Sequence, residues 1–308
     1  MILILGSEKE FHSKYVFEFL KQQNEEVEYL NTGKFPVSDK INWFPTDSVN
    51  SGNFVIDGKK ISFNEIKSIY WRWQYSVDIC KLLNIKASSY TSFVMNKEIA
   101  ATTDSLFYAL KCNWVNPIEA IYLHRTKAYQ LFLLAQNGFR VPKTLISNDS
   151  EEIIKFAEEN NYDLIYKPVQ GGCHTAILTK DDLSADRLNS FKTGAVQFQE
   201  KLDGTDIRVY IVGDKIFPAE IRAKTIDFRS DKDAEIVPVK LPPEIEKQCF
   251  KIADMFKLKF TGIDIKTKSN GEYVFIEANP SPMFVGFERQ SKYNITETLC
   301  ELLKKEYR

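Results

Sequence analysis

The chain is poor in the residues that cross-link small proteins or hold structural metals. It has five cysteines in 308 residues, an odd number without a Cys-x-x-Cys pair, and three histidines. This usage argues against a disulfide framework and is typical of the reducing cytosol. The pair Cys173-His174 supplies only two of the four convergent ligands that structural zinc needs, so we assign no zinc site.

The chain also lacks an excess of positive or negative charge, and it lacks long apolar runs. The formal net charge is -1, which argues against a nucleic-acid partner held by bulk electrostatics. No apolar run approaches the roughly 20 residues that cross a bilayer. The opening segment MILIL is too short for a signal peptide and is typical of a buried strand. We therefore expect a cytoplasmic protein with neither nucleic acid nor membrane as partner.

Three segments differ in their pattern of strands and helices. Residues 1–115 mix short strands with helical stretches around a hairpin signal at Asp57-Gly58, which predicts a small α/β domain. Residues 116–195 hold a helix over 127–137 and the strand DLIYKP, which predict a compact α+β unit. Residues 196–308 alternate four strands with two helices, the first beginning at Pro243.

The segment from Gly262 to Pro282, GIDIKTKSNGEYVFIEANPSP, carries the most chemistry. A two-residue Asn270-Gly271 turn pairs Ser269 with Glu272 and places Asp264 opposite Glu277. A four-residue loop keeps this register, whereas a three-residue loop does not. The register also gathers one apolar face, which supports it; its members are Ile263, Ile265, Val274, Ile276 and Ala278.

Facing carboxylates repel each other unless a cation lies between them. Asn279 projects to the same face as Glu277 and adds an amide oxygen. A few hard oxygen ligands suit Mg²⁺, which keeps positions for water and phosphate oxygens. The alternative is a solvated acidic face; we favour the metal because of the apolar flanks and the rigid Asn279-Pro280 exit.

Phosphate contacts are expected elsewhere in the chain. Asp206 and Arg208 alternate on one face of a strand, and Lys127 opens a helix, where anions bind favourably. Lys167 ends the strand LIYKP just before Gly171-Gly172, a flexible pair able to fold over a nucleotide. The alternative for each lysine is a solvated surface charge, so the interpretation depends on the whole set.

The order of Lys127, Lys167, FQEKLDGTDIR and GIDI…FIEANPSP resembles the ATP-grasp ligases over about the last 190 residues. The likeness is greatest to ribosomal-protein glutamate ligases and to graspetide (microviridin-type) peptide macrocyclases. It implies an α/β (α+β) ATP-grasp fold with an N-terminal Rossmann-like pre-ATP-grasp domain, and ATP and Mg²⁺ as cofactors.

The resemblance also implies individual roles. Lys127 and Lys167, with Gly171 and Gly172, would contact the nucleotide phosphates, and Asp206 would approach the ribose. The adenine hinge would comprise Gln199, Glu200 and Leu202. Arg208 would approach the γ-phosphate and acyl-phosphate. Mg²⁺ would be held by Asp264, Glu277 and Asn279.

Two further segments resemble the macrocyclases in particular. IYWRW, with Arg72, is similar to a Trp-Arg strand of their N-terminal domain, although a simple core strand is an equal alternative. TIDFRSD, with Asp227 and Arg229, is similar to their element near the acceptor carboxylate. ANPSPMFVGFE departs from their pattern, which leaves the substrate class open.

The resulting hypothesis is an ADP-forming ligase that joins a carboxylate to an amine or hydroxyl through an acyl-phosphate, with Arg208, Lys167 and Arg229 as catalytic residues. Its substrate would be a ribosomally made peptide cyclised by ester or amide bonds. Alternatives are an amino-acid or glutamate ligase acting on a small molecule or protein tail, a kinase, and a silent ATP-binding regulator. No GxxxxGK[ST] motif is present, which disfavours a P-loop kinase. A homodimer is an open alternative to a monomer.

Overall fold

The computed structural model describes residues 1–170, 175–191, 193–224 and 233–305, apart from the side chain of His124. The expected lid pair Gly171-Gly172 and the expected acceptor residues Asp227 and Arg229 lie outside the described residues. Four sheets and ten helices make up the described part, which confirms the mixed α/β class. None of the described helices is both long enough and apolar enough to cross a membrane.

The N-terminal region is built on a parallel sheet of order β2-β1-β6-β7, beside a three-stranded antiparallel sheet of order β3-β4-β5. The expected hairpin at Asp57-Gly58 is confirmed, with Ile56 paired to Lys59. The elements are β1 Ile2–Leu5, α1 Phe11–Gln22, β2 Val27–Leu30, β3 Lys40–Trp43, β4 Gly52–Ile56, β5 Lys59–Ser62, β6 Ser68–Trp71, α2 Ile79–Leu83, α3 Ser89–Ala109 and β7 Asn113–Val115, with short 3₁₀ helices at Thr32–Lys34 and Phe63–Glu65.

The next sheet is the second of the two four-stranded sheets and is called the second sheet below; it is antiparallel, with the order β10-β9-β11-β8. The last strand of this sheet in chain order begins at Val196, just past the expected domain boundary at 195. The division into three domains stays a prediction. The elements are α4 Ile118–Arg125, α5 Lys127–Gln136, β8 Thr144–Ser147, α6 Ser150–Glu159, β9 Leu164–Pro168, β10 Ala176–Ile177, a 3₁₀ helix Asp181–Leu183, α7 Ala185–Phe191 and β11 Val196–Glu200.

The C-terminal region carries an antiparallel sheet of order β14-β13-β12-β15-β16, with β16 at its edge. The helix that begins at Pro243 is confirmed, with proline in its first turn, where no backbone donor is needed. The elements are β12 Asp206–Val212, β13 Lys215–Arg222, β14 Glu235–Pro238, α8 Pro243–Met255, β15 Phe260–Thr267, β16 Tyr273–Asn279, α9 Val285–Ser291 and α10 Ile295–Lys304.

One hydrophobic cluster joins the first sheet to the last. It packs Ile2 and Ile4 of β1 and Leu20 of α1 with Leu299 and Leu303 of α10, all nearly or fully buried. A separate cluster lies between α8 and the sheet behind β12, β15 and β16. Since the apolar side of those strands is covered, their other side is left to carry polar residues.

Candidate active site

Three adjacent strands line up ionic side chains on this polar side. Arg208 of β12 pairs across the sheet with Asp264 of β15, which pairs with Glu277 of β16. Arg208 Nε lies 2.7 Å from Asp264 Oδ1. Lys127 at the start of α5 reaches the far end, where its Nζ donates to Glu277 Oε2 at 2.7 Å. We call Arg208, Asp264, Glu277 and Lys127 the reaction row.

The expected juxtaposition of Asp264 with Glu277 is confirmed, but the expected turn is wrong. The loop has three residues, since Lys268 N donates to Glu272 O at 2.8 Å and Thr267 pairs with Tyr273. Gly271 takes a left-handed φ of 84°, which a loop of this length requires. Asn270 accepts from the Glu272 amide at 3.0 Å and so favours this turn.

A bulge in β16 then restores the register that the loop shifts. Phe275 pairs with Ile265 and Glu277 with Asp264, which leaves Ile276 as the extra residue. As a result, Phe275, and not Val274 or Ile276 as expected, packs with Ile263 and Ala278 in the cluster beneath. The bulge redirects Glu277 to the polar side while keeping the apolar side closed.

The electrostatics of the reaction row fit a divalent cation. Burial, opposed by Arg208 and assisted by Glu277, raises the pKa of Asp264 to about 7. Asp264 therefore depends on neighbouring positive charge to stay ionised. The side chains of Asp264 and Glu277 are 25% and 21% exposed, so an incoming cation can reach the oxygens.

The donor set is sparse, as Mg²⁺ prefers. No group of three or more His, Cys, Asp or Glu in the described ranges is placed to hold a metal. Asp264 and Glu277, with the Asn279 amide oxygen, make two carboxylates and one amide. Such a set leaves coordination positions open for water and phosphate oxygens. Mg²⁺ prefers this arrangement to complete enclosure by protein ligands.

Asn279 is held by a bridge to the N-terminal sheet. Its Oδ1 accepts from Ser281 N at 2.9 Å. Arg72, which follows β6, donates from Nη1 to Ser281 O at 2.7 Å and to Ser281 Oγ at 2.8 Å. Its Nη2 lies 3.2 Å from Glu10. Arg72 is 6% exposed, so it supports the loop after Asn279 and also belongs to the core.

Two supporting residues escaped the sequence interpretation. Gln130, one turn after Lys127, donates to Ala278 O at 2.9 Å and accepts from Ala278 N at 2.8 Å. Its amide thus replaces a neighbouring strand at the free edge of β16. Asn116 donates from Nδ2 to the carbonyl oxygens of Phe260 and Pro280, both at 2.6 Å. The sequence signal for Gln130 is its spacing of three residues from Lys127, which places both on one helix face.

The remaining expected nucleotide contacts are spread over two sheets. Asp206 lies on β12 and is bonded to Lys266 at 3.0 Å. Lys167 lies on β9 opposite Gln197, in the second sheet. In the expected hinge, Gln199 donates to Thr144, Glu200 accepts from Arg140 at 2.8 Å, and Leu202 is buried. Their roles toward a nucleotide stay predictions.

Residues 124–303, more than half of the chain, match the RimK-like ATP-grasp domain. The chain belongs to the RimK-like ATP-grasp family. This membership confirms the resemblance, the ATP-grasp fold and the prediction of an ATP-dependent ligase.

Similar proteins differ in how much of this ATP-grasp ligase they cover. LysX of Sulfurisphaera tokodaii, an alpha-aminoadipate–LysW ligase, is 26% identical over 217 residues, or 67% of this chain and 76% of that protein. A probable alpha-L-glutamate ligase of Legionella pneumophila is 28% identical over 204 residues, or 62% and 67%. The structure of PsnB, an ATP-grasp ligase complexed with minimal precursor, Mg and ADP, aligns with a TM-score of 0.84 and 30% identity over 98% of this chain and 96% of that one.

Proposed function

We propose that this ATP-grasp ligase activates a carboxylate of a ribosomally made peptide with ATP and Mg²⁺ and joins it to an amine or hydroxyl. The observation that carries the proposal is the reaction row, in which two facing carboxylates lie between Arg208 and Lys127. The peptide substrate is supported by PsnB, which was solved with a precursor peptide and aligns with nearly the full length of this chain, N-terminal region included.

In the proposed reaction, a carboxylate oxygen attacks the γ-phosphorus of ATP, and the bond to the bridging oxygen breaks to release ADP. The acyl-phosphate then reacts with the amine or hydroxyl, which loses a proton, and inorganic phosphate leaves. Bound Mg²⁺, held by Asp264, Glu277 and Asn279, would neutralise charge on the phosphates. Arg208 and Lys127 would stabilise the charge on the transferring group, as positioned cations do in phosphoryl transfer.

In the structure, each carboxylate of the reaction row lies beside a cationic side chain. Asp264 pairs with Arg208, and Glu277 pairs with Lys127. A divalent cation held by these carboxylates would supply them with positive charge, and Lys127 and Arg208 would then be available to the phosphates.

The test measures ADP release from ATP and Mg²⁺ with acidic peptides, together with the mass of the products. Asp264→Asn/Glu277→Gln should abolish ADP release and keep the fold, because amides cannot replace the charge that a divalent ion requires. Asp163→Asn is the matched control, since Asp163 pairs with Lys201 on the surface, near the second sheet. Full activity in the double variant would refute the metal site.

The product mass separates the proposed ring closure from the runner-up. An internal ester or amide bond removes one water from the peptide, whereas ligation of an amino acid adds one residue. The second outcome would favour an amino-acid or glutamate ligase, the activity that the names of LysX and its relatives indicate for those proteins. A phosphorylated product would indicate a kinase, and tight ATP binding without turnover would indicate a silent regulator.

A further inference from the structure

A crevice of about 310 Å³ opens at one edge of the N-terminal parallel sheet. Its walls come from the segments that follow β2 and β6, from α3 and from the end of α4. The lining residues that matter below are Thr32, Gln74, Phe93, Lys97, Asp104 and Arg125. Since Thr32 and Gln74 lie just past the ends of parallel strands, the crevice is at their carboxyl edge.

The topology of the sheet singles out this edge. The chain leaves β1 to form β2 on one side and later returns to place β6 on the other side of β1. Open parallel sheets bind ligands outside the carboxyl ends of their strands at such a reversal of direction. The crevice therefore occupies the position that the sheet leaves for a ligand.

Its floor is fixed by hydrogen bonds. Tyr75 N donates to Thr32 Oγ1 at 2.8 Å, Thr32 Oγ1 donates to Tyr75 O at 2.9 Å, and the Tyr75 hydroxyl lies 2.8 Å from Ser7 Oγ. Gln74 Nε2 donates to Asp104 Oδ1 at 2.9 Å. The segment after β6 is thus held across the ends of β1 and β2, and the crevice is formed before any ligand arrives.

The charge that remains available in the crevice is positive. Asp104 is the carboxylate of the lining and its two oxygens accept from Gln74 and from the Tyr122 hydroxyl, whereas Lys97 and Arg125 carry two positive charges, so the cations outnumber it. Lys97 and Arg125 are exposed, and neither forms an ion pair with any carboxylate in the part of the chain that the structure describes. Arg125 lies 4.9 Å from the Tyr122 ring centroid. Two cations without an anionic partner favour a negatively charged ligand.

An apolar surface continues from the crevice over α2 and α3. Phe93 is 58% exposed and Tyr90 75% exposed. The other large exposed apolar residues between positions 73 and 94 are Trp73, Leu82, Leu83, Ile85 and Val94. Exposed apolar residues in such concentration mark an interaction surface. A ligand that matches crevice and surface together carries a carboxylate next to bulky apolar groups, as an acidic, amphipathic peptide does.

The crevice also lies next to the reaction row. Gln74 follows Arg72 by two residues, and Arg72 holds the loop after Asn279. Arg125 precedes Lys127 by two residues, and Lys127 bonds Glu277. Two residues of extended chain span about 7 Å at most. The backbone at Gln74 and Arg125 therefore lies close to the backbone that carries Arg72 and Lys127.

A larger cavity of about 410 Å³ does not share these features. It lies at the opposite edge of the sheet, beside the residues that lead into β7. Two of its three lysines are engaged, because Lys257 lies 3.9 Å from Glu119 and Lys259 donates to Asn113 at 2.6 Å. Its position, away from the carboxyl edge of the strands, favours the smaller crevice.

We propose that this crevice is the docking subsite for an acidic side chain of the peptide substrate. Arg125 and Lys97 hold the carboxylate, and Phe93 takes the adjoining apolar side chain. The inference rests on the proposed function only in assuming a peptide substrate. It assigns to the N-terminal region the selection of substrate, separately from the chemistry of the reaction row.

The experiment measures binding of fluorescent synthetic peptides by anisotropy in the presence of Mg²⁺ and ADP. The probes are short peptides with Asp or Glu beside Phe or Leu, and the same peptides with Asn or Gln. Lys97→Ala/Arg125→Ala should weaken binding of the acidic peptides at least about tenfold and leave the amide peptides unchanged. Lys40→Ala/Lys60→Ala is the control, since it removes two positive charges from exposed positions elsewhere.

Each other outcome has a defined meaning. Equal binding of acidic and amide peptides, no binding of any acidic peptide by the wild type, or undiminished binding by the double variant would overturn the subsite. Binding of Mg²⁺ and ADP is measured in the same samples. If the double variant loses nucleotide binding as well, Arg125 acts on the nucleotide and the subsite is again refuted. If the wild type binds peptide but never releases ADP from ATP, the proposed function fails while the subsite stands.

Discussion

Single side chains keep the proposed metal-binding oxygens of β16 in place. Ala278 lies between Glu277 and Asn279, and both of its backbone groups face the free edge of the sheet. Gln130 is 2% exposed and pairs with both groups. A buried backbone group without a partner costs free energy, so one amide side chain stabilises the whole edge.

We expect Gln130→Leu to lower the free energy of unfolding by about 1–3 kcal/mol, because it leaves the Ala278 N–H and carbonyl unsatisfied. Urea denaturation measures this directly. Gln136→Ala, an exposed change on the same helix, should stay within about 0.5 kcal/mol of the wild type. Equal stabilities of the two variants would mean that the amide bridge contributes nothing.

His12 gives the protein a pH dependence. Burial, with the positive charge of Arg72, lowers the pKa of His12 to about 4, although Glu10 opposes the shift. The folded pKa therefore lies below the ordinary value near 6.5. Between these values the unfolded chain binds the proton more readily, so stability is complete above pH 6.5 and is lost as the pH falls toward 4.

We expect the wild type to lose up to about 2–3 kcal/mol more than His12→Asn over that window. Asparagine keeps an acceptor near the Phe284 amide, which approaches His12 Nδ1 at 3.5 Å, but does not titrate. Chemical denaturation at a series of pH values measures the difference, and carboxylates that do not interact with His12 cancel in the comparison. Parallel pH profiles would show that His12 is not the group responsible.

At the scale of elements, the position of the Arg208 guanidinium depends on the absence of a side chain at Gly262 of β15. Gly262 lies opposite Asn279, and a Cβ there would come within 3.0 Å of Arg208 Nη1 and of Pro282 Cβ. The strand leaves this space to the guanidinium, which then reaches Asp264.

Gly262→Ala should therefore displace Arg208 and reduce the rate of ADP release at least about tenfold, equivalent to about 1.4 kcal/mol. Gly286→Ala in α9 is the matched control, because an added Cβ meets nothing within 4 Å there. It should keep the activity and raise stability by about 0.5–1 kcal/mol, since alanine favours a helix. A loss of activity in both variants would exclude the steric explanation.

The hairpin of β15 and β16 shows which features an alternating strand pattern can predict and which it cannot. The facing of Asp264 and Glu277 was predicted, yet it arises from two irregularities that cancel, a three-residue loop and a bulge. The Asn-Gly signal identified a turn but not its length, because Asn270 and Gly271 suit both loops. The bulge has no local signal: it is favoured by the packing of Phe275 beneath the sheet.

At the scale of the whole molecule, the first sheet and the C-terminal region share one hydrophobic cluster. The cluster around Ile4, Leu20 and Leu303 belongs equally to the first sheet and to the C-terminal helices. Arg72 adds a polar link between the same regions. The N-terminal region thus shares its core with the region that carries the reaction row.

Leu303→Ala should lower the free energy of unfolding by about 2–5 kcal/mol, because Leu303 is fully buried. All four tryptophans lie within residues 1–115, so their fluorescence reports on the N-terminal region although the mutation is at the other end of the chain. We expect the fluorescence and far-ultraviolet circular dichroism transitions to shift together. An unchanged fluorescence transition would show that the regions unfold independently.

Local sequence determined the strands, the helix starts and the chemical types of the reaction row, because alternation, caps and carboxylate spacing act over a few residues. Tertiary structure alone decided the partners. Gln130 and Asn116 act on residues 148 and 144 positions away, and Arg72 acts on Ser281 across 209. Side-chain bonds to a distant backbone depend on how the sheets and helices pack, and no short-range pattern encodes that packing.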